Sequence, residues 1–241
     1  MYVHGRNVLK EILENDYKVK KIYFSNSDNV DNSLKVLYNL AIEKGYNCQY
    51  VDSKKLKDLS DTTKNQGVVI DIGKEFNYSD EKKLYIKEEP FYIILDQVQD
   101  PHNFGAIVRS AVASGVDAII IPKDNSCGVT STVIKVSSGQ IFKIPIIQVT
   151  NLSRTIDKLK EKNIWVYAAD MSGQDYFDLD MKGGFCLVMG NEGSGVRKNI
   201  KDHSDGIVSI PMLNDVESLN VSVSAGIIMF EALKQRRFKW K

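Results

Sequence analysis

The chain has 241 residues, enough for one large or two small domains, and 43% hydrophobic with 26% charged content is that of a soluble globular protein. Its 32 basic and 31 acidic residues leave a formal net charge of +1. That excludes a global basic field, so nucleic-acid contacts must come from local patches: Lys18, Lys20 and Lys21, or Lys234 with Arg236, Arg237 and Lys239. The scattered Cys48, Cys127 and Cys186, without Cys-x-x-Cys, and the dispersed His4, His102 and His203 argue against a disulfide framework and a metal site. No apolar run approaches the ~18 residues of a membrane span, and no signal-peptide core opens the chain, so a cytoplasmic location away from membranes is expected.

Residues 1–73 read as a small α/β unit. Val8 with Ile12 and Leu9 with Leu13 have helical spacing, and Lys21 to Phe24 forms a short strand. Leu34, Leu37, Tyr38 and Ala41 mark a second helix stopped by Gly45. Cys48 to Val51 reads as a strand, Ser53 to Leu59 as a helix capped by Ser53, and Val68 to Ile72 as a further strand. Strands alternating with helices predict a mainly parallel sheet. Residues 74–89 are polar and charged and read as a linker.

From Pro90 the apolar runs strengthen. Phe91 to Leu95, Ala118 to Ile121, Ile144 to Val149, Ile164 to Ala168, Phe185 to Met189 and Ile207 to Ile210 suit strands buried on both faces. Between them lie helical patterns at Asn103 to Ser114, Thr130 to Ser138, Leu152 to Lys162 and Val196 to Ile200, with a last helix from about Leu219 to Arg236. In such α/β sheets ligands sit beyond the carboxyl ends of the strands, which directs attention to the loops leaving Leu95, Met189 and Ile210.

After Leu95, Pro101 disfavours helix at Asp100, making Asn103 a natural cap with Arg109 about two turns along. Alone, that is an ordinary capped helix with a surface arginine; functionally, Arg109 offers five fixed donors to a phosphate or carboxylate. After Met189, Gly190, Gly193 and Gly195 permit close backbone approach to a ligand, and Glu192 places a carboxylate among them. The order is neither the dinucleotide Gly-x-Gly-x-x-Gly nor a Walker loop. After Ile210, the next helix opens with Ser218, Asn220, Ser222 and Ser224 among Leu219, Val221 and Val223. Each stretch alone has a bland reading as a turn or a cap, but three unusual polar loops at strand ends of one domain point to a composite site.

Asn103-x-Gly105-Ala106-x-x-Arg109, then Met189-Gly190-Asn191-Glu192-Gly193-x-Gly195, then Ile210-Pro211-Met212 with Glu217 to Ser224, resembles the three motifs of the SpoU (TrmH) class of RNA 2′-O-ribose methyltransferases, in family order. Gly5 to Val8 with Gln66 to Val69 is similar to the substrate-binding domain appended in that family, of the L30e-like α/β fold. The two-domain arrangement most resembles members that methylate a guanosine in the peptidyl-transferase loop of 23S rRNA. The resemblance implies an α/β fold with a trefoil-knotted C-terminal domain over residues 90–241, a mainly parallel sheet there, a homodimer, RNA as substrate and S-adenosyl-L-methionine as cofactor. It implies that Gly190, Ile210 and Leu219 contact the cofactor, and that Asn103, Arg109, Glu192, Ser218 and Asn220 form the catalytic constellation. Where the family often has His before Gln66-Gly67, this chain has Asn65. A guanidinium is a poor base, so Arg109 is expected to clamp phosphate and stabilise a developing alkoxide. The motifs do not separate 23S rRNA from tRNA or another rRNA site. A non-catalytic ribosome-assembly factor would be expected to have lost Arg109, Glu192 or Asn220, and all three are present.

Overall fold

A computed structural model describes residues 1–26 and 31–237. The chain divides into two compact units, residues 1–77 with 129–143, and residues 78–128 with 144–241.

The first unit holds β1 (Tyr2–His4), α1 (Arg6–Glu14), β2 (Lys21–Ser25), α2 (Asn32–Glu43), β3 (Cys48–Val51), α3 (Ser53–Ser60) and β4 (Val68–Asp71). Its sheet runs β1-β4-β2-β3, with β4 antiparallel to both neighbours and only β2 and β3 parallel. The expected mainly parallel sheet is therefore corrected for this unit. Periodicity marks strands and helices but carries no strand direction, and β1, three residues long, is too short to show a period. The cap of α3 is also corrected: the Asp52 carboxylate, one residue before Ser53, accepts from the Lys55 amide at 2.7 Å.

The second unit holds β5 (Phe91–Leu95), α4 (Pro101–Ser114), β6 (Ala118–Pro122), β7 (Ile146–Val149), α6 (Leu152–Lys160), β8 (Trp165–Asp175), β9 (Phe185–Met189), α7 (Lys198–His203), β10 (Gly206–Ser209) and α8 (Val221–Arg237). Its six strands run β10-β8-β9-β5-β6-β7, every pair parallel. The all-apolar strands β5 and β9 sit side by side at the centre, buried throughout. With parallel strands, the carboxyl ends of β5, β9 and β10 point the same way and gather their loops on one edge. The last helix begins at Val221 rather than near Leu219, because Asn220 takes the position just before it.

Between β6 and β7 the chain returns to the first unit through α5 (Ser131–Val136) and a 3-10 turn at Gln140–Phe142. Gln140 Nε2 donates to the buried Glu11 at 2.6 Å, Lys143 pairs with Glu11 at 3.0 Å, and Phe142 packs on Tyr17. In the stretch read as a linker, Phe76 and Leu84 are buried, Phe76 in the Tyr17 aromatic cluster and Leu84 in the second unit's core. Average polarity over that stretch hides these two apolar anchors.

Candidate active site

At the end of β5, Asp100 rather than Asn103 caps α4, accepting from the amides of His102 (3.0 Å) and Asn103 (3.3 Å), with Pro101 as the first helical residue. This corrects the expected cap and has a consequence for chemistry. With Asp100 satisfying the helix amides, the Asn103 side chain is released to face across the strand ends.

At the end of β9 the glycine loop is folded by Asn191. Its Oδ1 accepts from the amides of Gly193 (2.9 Å) and Ser194 (3.3 Å), and its Nδ2 donates to the Gln97 carbonyl at 3.0 Å. Asn191 and Gly195 also exchange two backbone hydrogen bonds, closing the loop on itself. Gly190 lies so close to this closure that a Cβ there would come 2.1 Å from the Gly195 carbonyl carbon. Behind the loop, the fully buried Asp96 receives the Arg197 amide at 3.0 Å and the Arg197 guanidinium at 2.6–2.8 Å. The ends of β5 and β9 are thereby tied together from both sides.

Across this frame runs a chain of side-chain hydrogen bonds. Asn103 Nδ2 donates to Glu192 Oε1 at 2.7 Å, and Asn103 Oδ1 accepts from Asn220 Nδ2 at 2.9 Å. Asn220 Oδ1 in turn accepts from the amide (2.9 Å) and hydroxyl (2.6 Å) of Ser222, capping α8. One residue from each of three strand-end loops thus joins into one network, separated by 89 and 117 positions in sequence. The carboxamide of Asn103 is the hub, and its donor and acceptor are both used, which fixes its orientation.

Beside the network lies a cleft of about 380 Å³ bordered by Gly190, Glu192, Ile210, Ser218, Leu219 and Ile228. It brings together Gly190, Ile210 and Leu219, the three residues expected at a cofactor, with two of the expected catalytic ones. Asn103 and Asn220 reach it through Glu192. Arg109 is not part of this group: it lies exposed on α4 and makes no hydrogen bond or ion pair among the described residues. Ser218 borders the cleft and bonds to none of the network members. Asp96, Asn191 and Arg197, which position the loops, carry no role in the sequence reading. An acid directly after the apolar run Phe91 to Leu95 is the one signal that could have found Asp96.

The basic patches divide. Arg236 donates to the carbonyls of Glu89 and Met181 and lies over the Phe91 ring, so it braces the fold; burial lowers its pKa, against the opposing charges of Asp117 and Glu89. Lys234 pairs with Glu231 at 3.1 Å, and Lys239 lies outside the described residues. Lys21 sits over the Tyr23 ring.

A family model described as the SpoU rRNA Methylase family matches residues 90–230, and one described as RNA 2′-O ribose methyltransferase substrate binding matches residues 2–78. The 23S rRNA (guanosine-2′-O-)-methyltransferase RlmB of Neisseria meningitidis serogroup B is 40% identical over 229 residues, covering 94% of this chain and 91% of that protein. The protein of the same name from Escherichia coli is 37% identical over 238 residues, covering 97% and 98%. Among solved structures, the SpoU methyltransferase AviRb from Streptomyces viridochromogenes, in complex with AdoMet, is similar with a TM-score of 0.83, covering 98% of this chain and 90% of that one. At 22% identity this is a likeness of fold. With polar loops from three strand ends joined in one site and both matched segments in place, the chain belongs to the SpoU rRNA methylase family.

Proposed function

We propose that this protein methylates the ribose 2′-hydroxyl of a guanosine in the peptidyl-transferase loop of 23S rRNA, using S-adenosyl-L-methionine, as a cytoplasmic homodimer with a knotted catalytic domain. The observation that carries the reading is the Asn103–Glu192–Asn220 network standing at the rim of the cleft. The relatives' names supply the substrate. Exposed Val223 and Phe230 on α8 supply apolar surface for a partner subunit.

The cleft suits the cofactor. The absence of a side chain at Gly190 lets the loop close tightly against the Gly195 backbone at the cleft edge, and Ile210, Leu219 and Ile228 offer apolar contact. When bound, S-adenosylmethionine supplies an electrophilic methyl group on a sulfonium. The protein's part is then placement. Gly190, Ile210 and Leu219 hold the cofactor. Glu192, fixed by Asn103, presents a carboxylate at the cleft rim, and Asn220 with Ser218 sets the loop that faces the ribose. Arg109, unpaired among the described residues, is free to take an RNA phosphate and stabilise negative charge developing on the 2′-oxygen.

Residues 1–73 are assigned to substrate binding, 74–89 to the link and 90–241 to catalysis. Deleting residues 1–75 also removes Glu11 and Tyr17 from Gln140 and Phe142, so point substitutions test substrate binding more cleanly than truncation. The decisive experiment maps 2′-O-methylation in rRNA and tRNA from cells lacking the protein, complemented by wild type or Arg109→Ala. Loss of one 23S rRNA guanosine methylation, restored by wild type only, is expected. The Arg109→Ala protein should bind cofactor within a few-fold of wild type. A lost mark in tRNA would reassign the substrate, and full activity of Arg109→Ala would remove that residue from the mechanism.

A further inference from the structure

We propose that a cavity in the first unit captures one unpaired nucleotide of the RNA, its phosphate at Lys54 and Lys57 and its base edge at Gln66. The proposal rests on the functional reading above and adds a capture point far in sequence from the catalytic loops.

The cavity encloses about 510 Å³ and is bordered by Arg6, Leu34, Lys54, Leu56, Lys57 and Gln66. That size lies within the roughly 300–1,000 Å³ of small-ligand sites. Leu34 and Leu56, 2% and 1% exposed, close its floor, and its accessible apolar wall is completed by the aliphatic stems of Lys54 and Lys57 and by Gly67, where a Cβ would come 2.8 Å from Leu34 Cδ2. Its charged side chains are all cationic, with no acid among the bordering residues. Arg6 is already committed: it donates to Asp31 at 2.5 Å, to Ser33 at 2.9 Å and to the Gln66 carbonyl at 3.1 Å. The Arg6 hydrogen bond also holds the Asp31 carboxyl below its usual pKa. Lys54 and Lys57 are exposed and make no hydrogen bond or ion pair among the described residues. Two unpaired ammonium groups at the mouth of one cavity suit an anion.

Gln66 supplies the directional element. Its backbone sits at φ 59°, the left-handed region that non-glycine residues rarely adopt. Asn65 holds it there. Only 7% exposed, Asn65 accepts from the Gly67 amide at 3.0 Å and donates to the Thr62 carbonyl at 3.1 Å and the Ser60 hydroxyl at 3.4 Å. Gln66 Oε1 accepts from the Arg6 amide at 2.8 Å, which leaves Nε2 as a donor without a partner among the described residues. An apolar wall, one amide donor and two cations match a nucleotide's three parts: the face of the base, an acceptor on its edge, and its phosphate. A bare phosphate would not use the wall, and an apolar ligand would not use the lysines. A base inside a duplex hides both face and edge, so the occupant is unpaired. Asn65, where the family often has histidine, acts inward as a positioning residue for Gln66.

The test uses the full chain and three probes: a hairpin RNA carrying the open peptidyl-transferase loop sequence, the same hairpin with the loop closed by pairing, and free guanosine monophosphate. Lys54→Ala and Lys57→Ala should each raise the Kd for the open hairpin about fivefold and reduce the slope of log K against log salt by about 0.7. Gln66→Ala should cut the preference for open over closed hairpin by about tenfold. S-adenosylmethionine affinity should stay at the wild-type value in all three. The melting temperature should stay there in the two lysine variants, whose side chains are exposed, and fall slightly in Gln66→Ala, which loses the acceptor of the Arg6 amide. Unchanged Kd and salt slope in the double lysine variant would overturn the proposal, as would equal binding of both hairpins by wild type. Binding of guanosine monophosphate as tight as that of the hairpin would reassign the cavity to a free nucleotide and overturn it likewise. If the lysine dependence holds but no methyl is transferred to the open hairpin or to rRNA, the functional reading fails while the capture site stands.

Discussion

Two asparagines fold two loops by the same device, and the loops end up with opposite electrostatic character. Asn191 accepts from the amides two and three residues on, and Asn65 from the amide two residues on. Around Asn191 the polar groups satisfy one another: Glu192, Asn103 and Asn220 are linked, and Asp96 is paired with Arg197. Around Asn65 the turn is satisfied internally, yet the groups beside it are unpaired among the described residues: Gln66 keeps a donor, and Lys54 and Lys57 keep their charges. A site that must hold reacting atoms gains from groups already locked in place. A site that must catch a flexible polyanion gains from charges that are unspent until the ligand arrives.

The largest effect tests the locked side. Glu192→Ala should lower the methyl-transfer rate about 10²- to 10³-fold with cofactor affinity nearly unchanged, measured by transfer of labelled methyl to RNA under saturating cofactor. A rate within threefold of wild type would mean that the network is scaffolding only. Gly190→Ala comes next. The added methyl has no room against the Gly195 backbone, so the loop must shift, and cofactor affinity should fall more than about tenfold by calorimetry. Wild-type affinity would show that the loop closure is dispensable.

On the displayed side, Asn65→Ala removes a buried amide and leaves the Gly67 amide without its acceptor. The expected loss is about 1–3 kcal/mol of stability, read from denaturant unfolding, with weakened RNA binding and unchanged cofactor binding. RNA affinity equal to wild type would break the link between the Asn65 turn and substrate capture. The smallest effect is on pH. Burial, reinforced by the Lys135 charge, lowers the His4 pKa below 6.5. As pH falls through 6.5 the unfolded chain takes up the proton first, so stability is full above that value and declines below it. His4→Gln should flatten the stability profile between pH 6.5 and the lower folded-state pKa. An unchanged profile would show that His4 does not set it.

The N-terminal unit shows where linear reading stops. Its helices and longer strands follow from the spacing of residues such as Val8 with Ile12 and Leu37 with Ala41, since a helical face must be apolar at three- and four-residue steps. Strand direction leaves no such imprint, so the antiparallel run of β4 against both neighbours is visible only in the fold. The return of residues 129–143 to this unit is equally silent in sequence, because Gln140 and Glu11 are 129 positions apart.

In the catalytic unit, the sequence by itself determined the six strands other than the polar extension of β8 from Ala169 to Asp175, the order of three polar loops at their ends, and the residue types at the candidate site, because local pattern encodes those directly. It placed Gly190, Ile210 and Leu219 beside one another by analogy, and the fold gathers them around one cleft. Only the tertiary structure decided which side chains pair. Asp100 took the helix cap and released Asn103, which then met Glu192 and Asn220 from loops about ninety and well over a hundred positions away. Arg109 stayed outside the network within the chain, while the unassigned Asp96, Asn191 and Arg197 set the loop geometry. A hydrogen bond is fixed to within a few tenths of an ångström, and that precision comes from parallel strands packed to one register.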